Sequence, residues 1–243
     1  MHAILADLVA EQQALDQYLQ TLNDRDWDLP TGWNRWTVRH QVGMLAAGDE
    51  VAHDAVAGSG KLLAKAARQD LFAKEAAIRV KSLRPQEVIE LWRASRAELA
   101  NALSRRNGTD RVPGLVGDLS VRTMATARLT QTWSQALDIH HTFDSEPEDT
   151  ARLEHIAWMG WKTLPFAFEM ANEEYAEPVR VVLSGPAYER WSFGDPGAPC
   201  QIKGKAGEWC RVAVRRLHAD HATSLVAEGK TAEVALSVAR ANL

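Results

Sequence analysis

The sequence is poor in cysteine and has no long apolar run. Only Cys200 and Cys210 occur among 243 residues, which argues against a secreted disulfide framework and against a cysteine zinc cluster. No stretch of about 18 apolar residues is free of charges, and the first residues lack the basic and apolar regions of a signal peptide. We therefore expect a cytoplasmic protein with no membrane partner.

Basic charge and common cofactor motifs are also scarce. The formal net charge is -4, and lysine and arginine are scattered, so nucleic acid is not an expected partner. The sequence contains no glycine-rich phosphate loop, no G-x-S-x-G elbow and no C-x-x-C motif, which argues against nucleotide-binding, α/β-hydrolase and thioredoxin-like proteins. With 46% hydrophobic residues, the chain can bury a substantial core.

Helical periodicity dominates the first two thirds of the chain. Apolar residues recur every three or four positions from Ile4 to Leu22, and the spacing predicts an amphipathic helix there. Further helices are predicted from Thr37 to about Ala57, from Pro85 to Leu103, from about Ser120 to Phe143 and from about Thr150 to Asn172. Pro165 should kink or divide the last of these.

The pattern changes after Glu177. Val179, Val181 and Leu183 alternate with more polar neighbours, which is typical of a strand, and helices are predicted over 206–217 and 231–242. The expected fold is mainly α: a helical bundle over 1–175 is followed by a small α+β domain over 176–243.

Polar residues interrupt the apolar stripe of the helix over 120–143. Counting about 100° per residue places Arg128, Gln131 and Gln135 on the same face as Val121 and Ile139. Buried polar groups without partners cost about 1–3 kcal/mol each, so these must bond to one another, to water or to a ligand. Both an internal network and a ligand pocket fit this pattern.

Two further groups are acid–base candidates. Asp49 lies on the stripe of the second helix and could pair with Arg128 across the bundle, either as a structural salt bridge or as a catalytic carboxylate. His40 lies one helical turn before Met44, and an unperturbed histidine titrates near neutral pH. No H-x-x-x-H or H-E-x-x-H pattern places two histidines on one helical face, and His140 and His141 point about 100° apart.

Nine tryptophans are many for this length, and several fall in the predicted bundle. Trp33, Trp36 and Trp133 could form rigid apolar walls, either as core residues or around a flat ligand. Together with Met44 and Asp138, they are the candidate substrate-binding residues.

Two segments carry a family resemblance. Residues 26–33 (DWDLPTGW) with 36–46 (WTVRHQVGMLA), and 128–139 (RLTQTWSQALDI), resemble signatures of the mycothiol-dependent maleylpyruvate isomerase family. Residues 190–194 and 204–210 are similar to the small sterol-carrier-like domain that often follows the bundle in that family.

The resemblance implies a DinB-like four-helix bundle in which a His and a Glu-x-x-x-His pair hold a divalent metal that activates a thiol or water. Those three ligands correspond to Met44, Gln131 and Gln135, and all three are changed. A thioether and two amides offer neither charge nor imidazole, so the expected metal site is empty. No cofactor is expected from these residues, although mycothiol stays open.

Three functions are compatible with this pattern. The first is a metal-independent enzyme of small-molecule or secondary metabolism that isomerises, cyclises or conjugates an apolar organic substrate, using His40, Asp49, Arg128, Gln131 and Gln135. The second is a ligand-binding protein without catalysis. The third is a metal- and thiol-dependent enzyme with shifted ligands, such as His40, Asp49 or His140. Either a monomer or a homodimer is compatible with the sequence.

Overall fold

The computed structural model describes residues 1–32 and 36–241, and the chain forms two compact units. The first unit is Met1–Pro147, and the second begins at Glu148. Within the described residues, no helix has the length and apolar character needed to cross a membrane. Trp33, a predicted substrate-binding residue, lies outside the described residues.

The described part of the first unit contains long helices, short helices and a two-stranded antiparallel hairpin. The long helices pack against one another, and the hairpin leads into the last of them. The elements are α1 (His2–Leu19), α2 (Val38–Val56), α3 (Leu63–Ala66), α4 (Gln69–Val80), α5 (Pro85–Ser104), β1 (Arg111–Val112), β2 (Leu119–Ser120) and α6 (Val121–His141).

Four long helices form the bundle. α2 packs along α5 and also contacts α6, while α1 packs along α6 and also contacts α5. The helix starts agree with the sequence: Pro85 opens α5, and the Ser120 hydroxyl accepts a hydrogen bond from the Thr123 amide at 3.1 Å. Buried apolar residues fill the interior, including Leu15, Leu19, Val38, Val42, Leu45, Val88, Trp92 and Ile139.

The second unit combines helices with a four-stranded sheet of order β4-β3-β5-β6. β3 and β5 are parallel, and the other neighbouring strands are antiparallel. Pro165 follows the division between α7 and α8, as predicted. The elements are α7 (Leu153–Lys162), α8 (Leu164–Ala171), β3 (Val179–Ser184), β4 (Arg190–Phe193), β5 (Cys200–Lys205), α9 (Ala206–Ala213), β6 (Val226–Glu228) and α10 (Lys230–Val238).

The two compact units divide before α7, whereas the sequence pattern places the domain boundary at 175/176. α7 packs on α9, where the Trp209 indole donates a hydrogen bond to the Ala157 carbonyl at 3.1 Å. The division at 175/176, which followed the change from helix to strand in the sequence, stays a prediction. The sterol-carrier-like assignment of 176–243 stays a prediction.

Candidate functional site at the α2–α6 seam

The predicted site residues lie along the contact between α2 and α6. Gln41 bonds to Asp138 near one end of this contact, and Asp49 bonds to Arg128 further along, so the two helices run antiparallel. This register places Met44 level with Gln131 and Gln135, between the two cross-helix bonds. We call this set the α2–α6 seam: Gln41, Met44, Asp49, Arg128, Gln131, Gln135 and Asp138.

A buried salt bridge between Asp49 and Arg128 lies at one end of the seam, which we call the inner end. Asp49 is fully buried and accepts hydrogen bonds from Arg128 Nε at 2.9 Å and from Trp92 Nε1 at 3.1 Å. Burial raises the pKa of Asp49, although the charge of Arg128 opposes this effect. The cross-bundle pairing of Asp49 with Arg128 that the sequence indicated is present, and a catalytic role of Asp49 stays a prediction.

Arg128 lies flat against α2 because Gly48 leaves room for it. Its Nη2 donates to the Leu45 carbonyl at 3.2 Å, and a Cβ added at Gly48 would overlap the guanidinium. The periodicity of α2 does not predict that Gly48 makes room for Arg128, because a glycine contributes no side chain to the hydrophobic pattern of a helix. Trp92, which holds the second oxygen of Asp49, was likewise not singled out from the sequence.

Arg128 also fixes the orientation of Gln131. Its Nη1 donates a hydrogen bond to Gln131 Oε1. Because a guanidinium has only donors, the amide oxygen must face the arginine, and Gln131 Nε2 is directed away from it. Gln131 is half-buried, so part of its side chain is exposed to solvent.

Gln135 follows Gln131 by one helical turn and is more deeply buried. Gln135 is 7% exposed, and its Oε1 has no hydrogen-bond partner in the part of the chain that the structure describes. Seen together, the two glutamines place an oriented amide donor and an unsatisfied acceptor on neighbouring turns of one helix face.

The outer end of the seam is tied to the loop before α2. Gln41, with 1% exposure, donates to Thr31 Oγ1 at 3.0 Å and to Asp138 Oδ2 at 3.3 Å. The Thr31 hydroxyl in turn donates to the Trp36 carbonyl at 2.7 Å. Gln41 was not among the predicted site residues, although it precedes Leu45 by one turn on an apolar stripe, a position that predicts a buried polar group.

Two other candidates lie in different surroundings. His40 accepts a hydrogen bond from the Thr37 amide at 3.3 Å and so caps the start of α2. Burial lowers the pKa of His40, and the neighbouring charge of Arg39 adds to the effect. Trp133 has 1% exposure and belongs to the core, so its role as a pocket wall stays a prediction.

The donor set of the seam does not fit a divalent metal. Met44, Gln131 and Gln135 are neutral, and Arg128 already occupies the Gln131 oxygen. Among residues 1–32 and 36–241, no group of three or more His, Cys, Asp or Glu side chains is arranged to hold a metal ion. The His140 ring stacks on Tyr18 with centroids 3.7 Å apart, whereas His141 pairs with Glu146.

The second unit has a cleft of its own that the sequence did not indicate. Its volume is about 330 Å³, and it lies between the β3–β4 turn and the start of α9. Arg211 bonds to Asp149 at 2.9 Å beside it, and Tyr188 on the turn is 93% exposed.

Comparison with known proteins agrees with the resemblance and the fold. A family model described as the mycothiol maleylpyruvate isomerase N-terminal domain matches residues 8–140. Uncharacterized proteins from two strains of Mycobacterium tuberculosis are each 33% identical over 242 residues, which span 98% of this chain and 94% of the relative.

Two solved structures are similar over 95% of this chain and 95% of their own. One is the mycothiol-dependent maleylpyruvate isomerase, with a TM-score of 0.58 and 14% identity. The other is a mutant of that enzyme, with a TM-score of 0.59 and 13% identity. This likeness shows the shared fold, and it confirms the prediction of a mainly helical chain with a small C-terminal sheet region.

Proposed function

Since this chain belongs to the mycothiol maleylpyruvate isomerase family, we propose that it is an isomerase-like enzyme that acts on a small organic molecule at the α2–α6 seam without a metal ion. The observation that carries the proposal is the hydrogen bond from Arg128 to Gln131. The guanidinium lies against Gln131, the residue that stands where the resemblance implies a metal-binding carboxylate.

A cation at this position would compete with the Arg128 guanidinium for the Gln131 oxygen. Neither Met44 nor Gln135 supplies a compensating negative charge. The residues of the seam therefore favour a reaction that needs hydrogen-bond donors and a carboxylate.

Isomerisation next to a carbonyl has these requirements. The Gln131 amide would donate a hydrogen bond to the carbonyl oxygen as negative charge develops on it. The Asp138 carboxylate, which follows Gln135 by one turn, would accept a proton from the neighbouring carbon and return it to another carbon of the same molecule. Asp49 and Arg128 would act through Gln131 as positioning residues, because Asp49 is fully buried and already bonded on both oxygens.

A ligand-binding protein without turnover is the second candidate. It is favoured by the position of His40, whose Nδ1 is used in the cap of α2, and by the burial of Asp49. Both groups were predicted acid–base residues. His40 uses its Nδ1 in the helix cap, and both carboxylate oxygens of Asp49 accept hydrogen bonds.

Hydrogen exchange provides the test. Purified protein is incubated in deuterated buffer with small enolisable carbonyl compounds, and deuterium uptake is followed by NMR with and without a chelator and mycothiol. We expect uptake above the buffer rate that the chelator does not change. Gln131→Leu should reduce it by about 100-fold, as for loss of one oxyanion donor, and Asp138→Asn should abolish it.

Gln17→Leu, which changes an exposed glutamine of α1, is the matched control and should leave the rate unchanged. Activity that the chelator removes would contradict the metal-free proposal. Binding without any uptake would favour the second candidate, and uptake only with mycothiol would place the thiol in the reaction.

A further inference from the structure

The seam contains a polar atom that no described residue satisfies. Gln135 Oε1 is buried and has no hydrogen-bond partner among residues 1–32 and 36–241, and an unsatisfied buried acceptor costs about 1–3 kcal/mol. Buried polar atoms in folded proteins are nearly always paired with the protein, with water or with a ligand, so such an exception calls for a partner. A donor on a bound molecule would supply it.

The side-chain amide of Gln131 supplies a hydrogen-bond donor next to this acceptor. Arg128 holds Gln131 with its oxygen inward, so Gln131 Nε2 is available as a donor one turn before Gln135. Residues four apart on a helix have Cβ atoms about 5–6 Å apart, a spacing that one small polar group can bridge. The pair therefore matches a molecule that carries an acceptor and a donor side by side.

The charges at the seam further restrict the chemical class of the ligand. The guanidinium of Arg128 is compensated by Asp49 at 2.9 Å, and Asp138 adds a carboxylate at the outer end. A carboxylate ligand would offer only acceptors to Gln135 Oε1 and would meet no uncompensated positive charge from Arg128. A neutral group pairs with both amides without this cost.

We propose that the ligand of the α2–α6 seam is a neutral carboxamide or lactam, whose carbonyl accepts from Gln131 and whose N–H donates to Gln135. The proposal rests on the proposed function for the location of the site, but it does not require turnover. In this proposal Gln135 determines ligand specificity, and Arg128 orients Gln131, the second amide that contacts the ligand.

Three probes with the same ring separate the classes: benzamide, benzoate and ethylbenzene. Binding to the full-length protein is followed by the side-chain amide NMR signals of the glutamines and by the thermal midpoint. We expect benzamide to shift the signals of Gln131 and Gln135 and to raise the midpoint. Benzoate and ethylbenzene should bind at least about tenfold more weakly.

Substitution tests the acceptor directly. Gln135→Met keeps the length of the side chain and removes the acceptor, so it should weaken benzamide about tenfold and leave ethylbenzene unchanged. Gln13→Met, which changes an exposed glutamine of α1, should alter neither. If Gln135→Met does not fold, the relative affinities of the natural protein for the three probes still test the proposal.

Equal affinities for benzoate and benzamide would overturn the proposal. An affinity for benzamide that is unchanged in Gln135→Met would overturn it too. Shifts confined to residues away from the seam would overturn it as well. Failure of the proposed function has a different signature, namely a chelator-sensitive activity or no deuterium uptake, and neither is measured by these probes.

Discussion

Removal of the charge of Asp49 tests the buried salt bridge at the inner end of the seam. Asp49→Asn keeps the shape of the side chain but leaves the Arg128 guanidinium, with only 5% of its side chain exposed, without its counter-charge. Loss of one partner of a buried pair costs about 3–5 kcal/mol, a large part of the stability of an ordinary domain. The matched control is Glu50→Gln in the same helix, because Glu50 pairs with Arg79 at the surface and should contribute less than about 1 kcal/mol.

The assay is urea unfolding followed by tryptophan fluorescence, which reports on both units, because Trp92 and Trp133 lie in the first and Trp191 and Trp209 in the second. A double variant, Asp49→Leu with Arg128→Met, removes both charges together and should recover most of the lost stability. If Asp49→Asn were no more destabilising than Glu50→Gln, the pair would not be the buried, fully bonded interaction that the structure describes.

The remaining predictions concern packing and pH. Gly48→Ala should destabilise the bundle by about 1–3 kcal/mol, because the new Cβ displaces the Arg128 guanidinium, whereas Gly32→Ala meets open space and should have little effect by urea unfolding. Burial lowers the pKa of both His40 and His140 from 6.5, so the unfolded chain binds more protons as the pH falls through that value. Stability should therefore fall from about pH 7 to about pH 5, and less so in a variant with both histidines changed to glutamine. An equal fall in both proteins would contradict the lowered pKa values.

The bundle was predictable because its helices are amphipathic. α1, α2, α5 and α6 each place apolar residues every three or four positions, and Pro85 and Ser120 mark helix starts. The division between α7 and α8 followed from Pro165 in the same way. The boundary between the compact units was not readable, since it depends on which helices pack together and not on local pattern.

The strands of the second unit were only partly predicted. β3 alternates buried and less buried residues over six positions, whereas β5 loses its alternation at Gly204 and β6 has only three residues. The helix predicted to extend to Leu217 ends at Ala213, and Arg215 then adopts a left-handed backbone conformation. Such ends are set by tertiary contacts that the period of a helix does not contain.

The site shows a similar limit. Helical counting identified Asp49, Arg128, Gln131 and Gln135 as polar groups in an apolar stripe, and the cross-bundle pairing of Asp49 with Arg128 followed from it. The partners that fix their orientation come from distant parts of the chain. Thr31 reaches Gln41 and Trp92 reaches Asp49, and no sequence period links these positions.

The central claim, that the seam works without a metal ion, is tested most directly by elemental analysis of tag-free protein before and after incubation with excess Zn²⁺, with the thermal midpoint measured on the same samples. A variant that carries Met44→His, Gln131→Glu and Gln135→His restores the ligand types that the family resemblance implies and serves as the comparison. We predict no stoichiometric metal and no shift in midpoint for the natural protein. Near-stoichiometric zinc with a raised midpoint in the natural protein would contradict the account and return the chain to the metal-dependent class.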